Sequence, residues 1–66
     1  MRVTVDVAGG GTHEITVGPD ERYADLLDAV GLSPQEATVL LDGRPVPEDR
    51  FVNAEHVRVL RLVRGG

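Results

Sequence analysis

Alternation of apolar and polar residues at the start of the chain constrains its fold more than any other feature. The segment from Val3 to Val7 has the sequence Val-Thr-Val-Asp-Val, and the segment from His13 to Val17 has the sequence His-Glu-Ile-Thr-Val. Successive side chains of a strand point to opposite faces, so a period of two predicts a strand with one buried face. Three consecutive glycines, 9–11, lie between the two segments. The first seventeen residues therefore predict a β-hairpin.

One amphipathic helix follows this hairpin. The apolar residues of the next segment are Tyr23, Leu26, Leu27 and Val30. Their i, i+3, i+4, i+7 spacing places them on one side of a helix of two to three turns. Arg22 is an unusual residue at the N-cap of such a helix, whereas Gly31 suits its end because glycine readily adopts the left-handed conformation.

The second half of the chain predicts further strands. Ser33–Glu36 has the Ser-x-x-Glu pattern of a capping box and predicts one short helical turn. A third strand is expected from Thr38 to Leu41, and the Asp42-Gly43 pair that follows is a strong hairpin signal. The segment 44–47 contains two prolines and can form only a short edge strand. The last strand is expected from Val57 to Val63.

This order of elements predicts the α+β class, with a mixed sheet of four to five strands and one helix across one face, which is the β-grasp layout. We expect the β-grasp domain to span residues 1–63 and residues 64–66 to form a flexible Gly-Gly tail. The predicted core contains the strand and loop residues Val3, Val5, Ile15, Val17, Val39, Leu41, Val46, Phe51, Val57 and Val59, packed against Leu26, Leu27 and Val30.

Composition excludes several classes of protein. Cysteine is absent, which excludes disulfides, thiolate metal sites and a β-grasp ferredoxin. The chain has one Phe, one Tyr, no Trp and a net charge of −4, so direct nucleic-acid binding is not expected. No apolar run is long enough for a membrane span or a signal peptide, and we expect a cytoplasmic protein.

No group of residues has the spacing of an enzyme site or a metal site. His13 and His56 are each isolated from other metal-ligating residue types and are expected to be ordinary surface residues. The three glycines are not followed by a helix, so they are interpreted as a turn and not as a phosphate-binding loop. The eleven carboxylates are scattered through turns and helix faces and are interpreted as solvated charge.

The two glycines that close the sequence, Gly65 and Gly66, are the exception. With glycine at about 7% of residues, two at the end arise by chance in only about 0.5% of chains. They directly follow the last predicted strand. A frayed tail and a remnant of purification are the alternative interpretations.

Four segments together resemble the small archaeal modifier proteins of halophilic archaea. These are Arg22–Leu27 (Arg-Tyr-Ala-Asp-Leu-Leu), Leu32–Pro34 (Leu-Ser-Pro), the hairpin Val39–Asp49 and the ending Val59–Gly66. The resemblance covers essentially the whole chain. Such proteins are ubiquitin-like β-grasp proteins related to the MoaD and ThiS sulfur carriers, and an acidic composition without lysine fits a salt-adapted host.

The resemblance implies that the carboxylate of Gly66 is adenylated by an E1-like activating enzyme with ATP. It is then joined by an isopeptide bond to lysines of target proteins, or converted to a thiocarboxylate for sulfurtransferase or tRNA-thiolation enzymes. On this reading the chain is a monomer and not an enzyme, and it binds no cofactor itself. Gly65 and Gly66 lack side chains and can enter a narrow channel in the partner enzyme.

Strand alternation also predicts a surface for that partner. If Val39 and Val59 face the helix, then Leu40, Leu60 and Leu62 point outward, accompanied by Arg58 and Arg64. Residues 1–50 carry four arginines and ten acids, net −6, whereas residues 51–66 carry three arginines and one acid, net +2. This locally basic segment suits an acidic groove on an activating enzyme. Exposed leucines are common, so an ordinary surface is the alternative.

Three functions remain open on sequence alone. The first is a protein modifier that also carries sulfur. The second is a dedicated sulfur-carrier subunit, paired with a large catalytic subunit in cofactor biosynthesis. The third is a β-grasp interaction domain in which the two glycines have no role.

Overall fold

The computed structural model describes residues 1–62, which form a five-stranded mixed sheet with one helix across one face. The elements are β1 (Arg2–Val7), β2 (Gly11–Thr16), α1 (Tyr23–Ala29), β3 (Ala37–Leu41), β4 (Arg44–Val46) and β5 (His56–Arg61). The strand order is β2-β1-β5-β3-β4, so the first and last strands are neighbours at the centre of the sheet. The predicted α+β class and β-grasp layout are confirmed.

The pairing of β1 with β5 is parallel, and all other pairings are antiparallel. Val5 is in register with Val57, and Val7 is in register with Val59. The last strand was predicted to run from Val57 to Val63, but it begins one residue earlier, at His56, and ends at Arg61. Val63 lies outside the described residues, together with the predicted tail at 64–66.

Both hairpin turns use positive φ angles at the positions that the sequence indicated. Asp42 and Gly43 have φ values of 53° and 80°, and two consecutive positive values are the mark of a type I′ turn. This turn sets β4 against β3, with Leu41 in register with Arg44. In the first hairpin, Gly9 has a φ of 76°, which a residue with a Cβ atom rarely adopts.

Hydrogen bonds at both of its ends stabilise helix α1. At the start, the backbone N–H of Arg22 donates to the carboxylate of Asp25 at 2.8 Å, although the arginine side chain cannot itself accept a bond from the helix. At the end, Gly31 has a φ of 79°, and the N–H of Leu32 donates to the carbonyl of Leu27 at 2.9 Å. This is a Schellman motif, as the glycine predicted.

The turn predicted at Ser33–Glu36 is present as a single helical turn that does not continue. The N–H of Ala37 donates to the carbonyl of Ser33 at 3.1 Å, which is an i to i+4 bond. The carboxylate of Glu36 accepts from the N–H of Ser33 at 3.1 Å, so the glutamate half of the capping box forms.

The core lies between the sheet and α1. Its buried residues are Val3, Val5, Val7, Val17, Tyr23, Leu26, Leu27, Ala37, Val39, Val57 and Val59. Four residues of the predicted core, Ile15, Val30, Leu41 and Val46, are partly buried at its margin. Within residues 1–62, no helix is long and apolar enough to cross a bilayer.

The prediction that Phe51 belongs to the core is wrong, because its side chain is 49% exposed. Tyr23 is the fully buried aromatic residue, and its hydroxyl donates to the side-chain oxygen of Asn53 at 3.1 Å. Phe51 instead lies outside, where the guanidinium of Arg22 is 4.3 Å from the centre of its ring. An isolated β-bridge between Arg22 and Phe51 holds the loop against the start of the helix.

We expect Tyr23→Ala to lower the free energy of unfolding by about 3–5 kcal/mol, because it removes a fully buried aromatic side chain. Phe51→Ala should cost about 1 kcal/mol or less, since it removes a half-exposed ring and a surface cation–π contact. Tyr23→Phe is the matched control and should cost about 1 kcal/mol for the lost hydrogen bond. Urea denaturation measures all three, and an equal cost for Tyr23→Ala and Phe51→Ala would contradict this assignment of the core.

Candidate interaction face

The side of the sheet opposite α1 is here named the open face. In β5, Val57 and Val59 are buried against the helix side, so strand alternation places Arg58 and Leu60 on the open face. Leu60 is 39% exposed. The structure thus orients these two residues as the sequence alternation predicts.

Leu40 of β3 lies on the same face, beside the two residues of β5. It is in register with Arg58, and Thr38 is in register with Leu60. Leu40 and Leu60 are therefore diagonal neighbours on adjacent strands, a relation in which side chains are typically about 7–8 Å apart and long ones touch. Leu40 is half-buried, so it forms the floor of the apolar patch while Leu60 projects from it.

Leu62 follows β5 and is 54% exposed. It lines two shallow cavities, one of about 540 Å³ that also includes Leu60 and Arg61, and one of about 340 Å³ that also includes Ser33 and Gln35. The remaining predicted site residues, Arg64, Gly65 and Gly66, lie outside the described residues.

Arg58 is the positive charge beside the apolar patch. It is in register with Asp6 of β1 on one side and with Leu40 on the other. Within the described part of the chain, the ion pair is that of Arg2 with Glu14, at 3.8 Å between exposed side chains, and no carboxylate lies within ion-pair distance of Arg58. Asp6 lies on the open face as well, because both of its neighbours in β1 are buried, but its carboxylate forms no ion pair with Arg58.

The basic character of the last strand is divided between the two faces of the sheet. Arg61 is two residues beyond Val59 in β5, so it lies on the helix side of the sheet, whereas Arg58 lies on the open face. The exposed carboxylates of α1, Asp25 and Asp28, also lie on the helix side of the molecule. A partner that approaches the open face therefore meets Arg58 without these helix carboxylates.

Sequence reasoning missed a hollow at one end of the open face. It has a volume of about 400 Å³ and is lined by Leu40, Asp42, Gly43, His56, Val57 and Arg58. The Asp42-Gly43 turn was recognised as a hairpin, but its position beside the start of β5 depends on the antiparallel pairing of β3 with β5. That long-range pairing has no local sequence signal.

The two histidines lie on different faces of the sheet. His13 is in register with the buried Val5, so it lies on the helix side of the sheet. His56 is in register with Thr4, so it lies on the open face. Residues 1–62 contain no group of three His, Cys, Asp or Glu side chains that could hold a metal ion.

Comparison with known proteins identifies the family. The sequence model for "Small archaeal modifier protein 2" matches residues 1–63. Small archaeal modifier protein 2 of Haloferax volcanii is 59% identical over 66 residues, and the alignment covers all of both chains. The chain belongs to the small archaeal modifier protein 2 family. An uncharacterised protein of Archaeoglobus fulgidus is 30% identical over 67 residues, again with full coverage of both.

Solved structures agree with this family assignment. The crystal structure of the Haloferax volcanii small archaeal modifier protein 2 has a TM-score of 0.76 and 58% identity, and the match covers 97% of each chain. A designed protein based on human erythrocytic ubiquitin has the same TM-score at 17% identity, covering 98% of this chain and 95% of its own, and so shares the fold alone. The chain is therefore a ubiquitin-like homologue of a protein modifier.

We expect Leu60→Asp to lower the free energy of unfolding by about 1 kcal/mol or less, because the side chain lies on the open face. Val59→Asp, its neighbour in the same strand, should prevent folding because it places an unpaired charge in the core. Circular dichroism with thermal melting measures both. A large loss of stability in Leu60→Asp would mean that the register of β5 is shifted by one residue.

Proposed function

We propose that this protein is a ubiquitin-like modifier whose Gly66 carboxylate is activated with ATP by an E1-like enzyme and then attached to lysines of target proteins. The observation that carries the proposal is the 59% identity to a modifier protein over its whole length, an alignment that runs through Gly65 and Gly66. On this proposal the chain is a substrate and carrier, and the catalytic groups, the nucleotide and its metal ion belong to the partner.

The chemistry requires activation because a carboxylate is a poor electrophile. One carboxylate oxygen of Gly66 attacks the α-phosphorus of ATP, pyrophosphate leaves, and an acyl-adenylate forms. The amine of a target lysine then attacks the acyl carbon, AMP leaves with the electron pair of the broken bond, and an isopeptide bond remains. If hydrosulfide attacks the acyl carbon instead of the amine, AMP leaves in the same way and the product is a thiocarboxylate, the sulfur-carrying form proposed for tRNA thiolation.

The open face is proposed as the docking surface for the activating enzyme. Leu40 and Leu60 supply adjoining apolar area, Arg58 supplies a charge not paired within residues 1–62, and Leu62 continues the apolar surface toward the carboxyl terminus. An acidic groove with an apolar floor has the complementary chemistry. Arg64 would add a second positive charge close to the reacting carboxylate. Because the enzyme uses ATP, we propose that this encounter takes place in the cytoplasm.

The same chemistry would serve a dedicated MoaD-like or ThiS-like sulfur carrier, which is the alternative function. The two differ in their products. A modifier gives a series of high-mass conjugates in an immunoblot of cell lysate, whereas a sulfur-carrier subunit gives one stable partner.

Deletion of Gly66 should abolish adenylate formation and conjugation while the melting temperature stays unchanged, since the deleted residue follows the whole β-grasp core. ATP–pyrophosphate exchange with a recombinant archaeal E1-like enzyme measures the first effect, and immunoblotting measures the second. Gly65→Val is the milder variant and should slow adenylation, because a β-branched residue is stiff and bulky in a narrow channel. Conjugates formed by the deletion variant would disprove the proposal.

Docking on the open face is tested in the same exchange assay. Leu60→Asp and Leu40→Asp should raise the KM for the activating enzyme by about tenfold or more, since a charge replaces an apolar contact residue. Asp28→Ala, on the exposed side of α1, is the control and should leave the KM unchanged.

The absence of lysine from all 66 residues predicts single attachments and no isopeptide-linked chains of this protein. Arginine cannot replace lysine as the acceptor, because its guanidinium remains protonated and offers no free lone pair. The α-amine of Met1 is a primary amine, but it donates a hydrogen bond to the carbonyl of Val17 at 2.9 Å. The N–H of Val17 returns a bond to the carbonyl of Met1 at 2.7 Å, so this amine is held at the end of the hairpin.

Mass spectrometry of digested conjugates measures this prediction. The Gly-Gly remnant should be found on lysines of other proteins. A remnant on Met1, or on any other residue of this chain, would show that polymers form.

A further inference from the structure

The pairing of β3 with β5 continues by one residue pair beyond the end of β5, but only one of the two hydrogen bonds of that pair forms. The pairs Ala37 with Arg61 and Thr38 with Leu60 set a register that next brings Glu36 opposite Leu62. The N–H of Leu62 donates to the carbonyl of Glu36 at 2.7 Å. In a regular antiparallel ladder a hydrogen-bonded pair exchanges two such bonds.

The second bond of this pair is diverted into the preceding turn. The N–H of Glu36 donates to the carbonyl of Ser33 at 3.0 Å, and the N–H of Ala37 donates to the same carbonyl at 3.1 Å. The carboxylate of Glu36 accepts from the N–H of Ser33 at 3.1 Å. Glu36 is thus fixed by its own turn, and it holds Leu62 by one backbone bond.

We propose that Glu36 is a positioning residue for the activation reaction and that its carbonyl clamps the root of the carboxyl-terminal arm. This inference rests on the function proposed above. Four residues follow Leu62 in the sequence, and four residues extend at most about 14 Å. When the bond from Leu62 to Glu36 is formed, the reacting carboxylate can be at most about 14 Å from Leu62. A partner docked on the open face therefore finds this carboxylate within a limited volume.

This clamp favours the reaction because it limits the backbone conformations near Leu62 that the enzyme would otherwise have to restrict. Each backbone residue released from the sheet adds conformational entropy that is lost again when the carboxylate is aligned with ATP. Glu36 and Leu62 together line both of the shallow cavities described above, so this pair lies at the surface. Because the clamp limits the freedom of the carboxylate and adds no contact area, it acts after docking, on kcat. The open face supplies the contact area and acts on KM.

Leu62→Pro tests the clamp, because proline has no N–H to donate and the preceding Arg61 is already in the extended conformation that proline requires of its neighbour. Leu62→Ala is the matched control, since it loses the same side chain but keeps the N–H. In ATP–pyrophosphate exchange, both variants should show the same rise in KM, and kcat of the proline variant should be about fivefold below that of the alanine variant. Equal kcat values would overturn the proposal.

A second pair of variants perturbs the clamp from the side of the turn. Glu36→Ala removes the acceptor for the N–H of Ser33, whereas Glu36→Gln keeps an acceptor oxygen at the same position. Hydrogen exchange followed by NMR should show the amide of Leu62 exchanging about fivefold faster in Glu36→Ala than in the wild type, and at the wild-type rate in Glu36→Gln. The kcat for ATP–pyrophosphate exchange should be lower in Glu36→Ala than in the wild type, and it should equal the wild-type value in Glu36→Gln.

The two measurements separate failure of the clamp from failure of the proposed function. A wild-type chain that supports no pyrophosphate exchange would overturn the modifier function, and amide exchange would still decide whether the clamp exists. A Leu62 amide that is unprotected in the wild type, in a chain that is adenylated normally, would overturn the clamp alone.

Discussion

The parallel pairing of β1 with β5 at the centre of the sheet is the interaction on which the remaining structure depends. Parallel strands cannot be joined by a tight turn, so the chain must cross over between them, and α1 lies within that crossover. Val5 with Val57 and Val7 with Val59 form adjoining buried pairs across this junction. The same strand that completes the core carries Arg58 and Leu60, residues of the proposed docking surface, on its other side.

Much of the fold could be predicted because its signals are local. The alternation in β1, the helical spacing from Tyr23 to Val30, the glycine that ends α1 and the Asp42-Gly43 turn each act over a few residues, and each prediction is confirmed. Phe51 was misplaced because hydrophobicity alone cannot decide which of two aromatic residues is buried. That choice depends on the loop contacts of Tyr23 with Asn53 and of Arg22 with Phe51, both about thirty residues apart in sequence.

In the candidate site, too, some features follow from local sequence patterns and others depend on tertiary pairing. The orientation of Leu40, Arg58 and Leu60 follows from strand alternation, so it could be predicted before the register was known. The bond from Leu62 to Glu36 could not, because it depends on a register set by the β3–β5 pairing and on a turn that diverts one N–H. Local patterns determine which face a side chain occupies, whereas tertiary pairing determines its neighbours.

The burial of Tyr23 has a consequence for how this protein can be observed. The chain has one tyrosine and no tryptophan, so its near-ultraviolet absorbance and fluorescence are dominated by a single phenol. That phenol is fully buried and hydrogen-bonded to Asn53, on the core side of a sheet whose other side is proposed to meet partners. The protein therefore carries its own optical reporter of core packing, separate from the surface through which it is proposed to act.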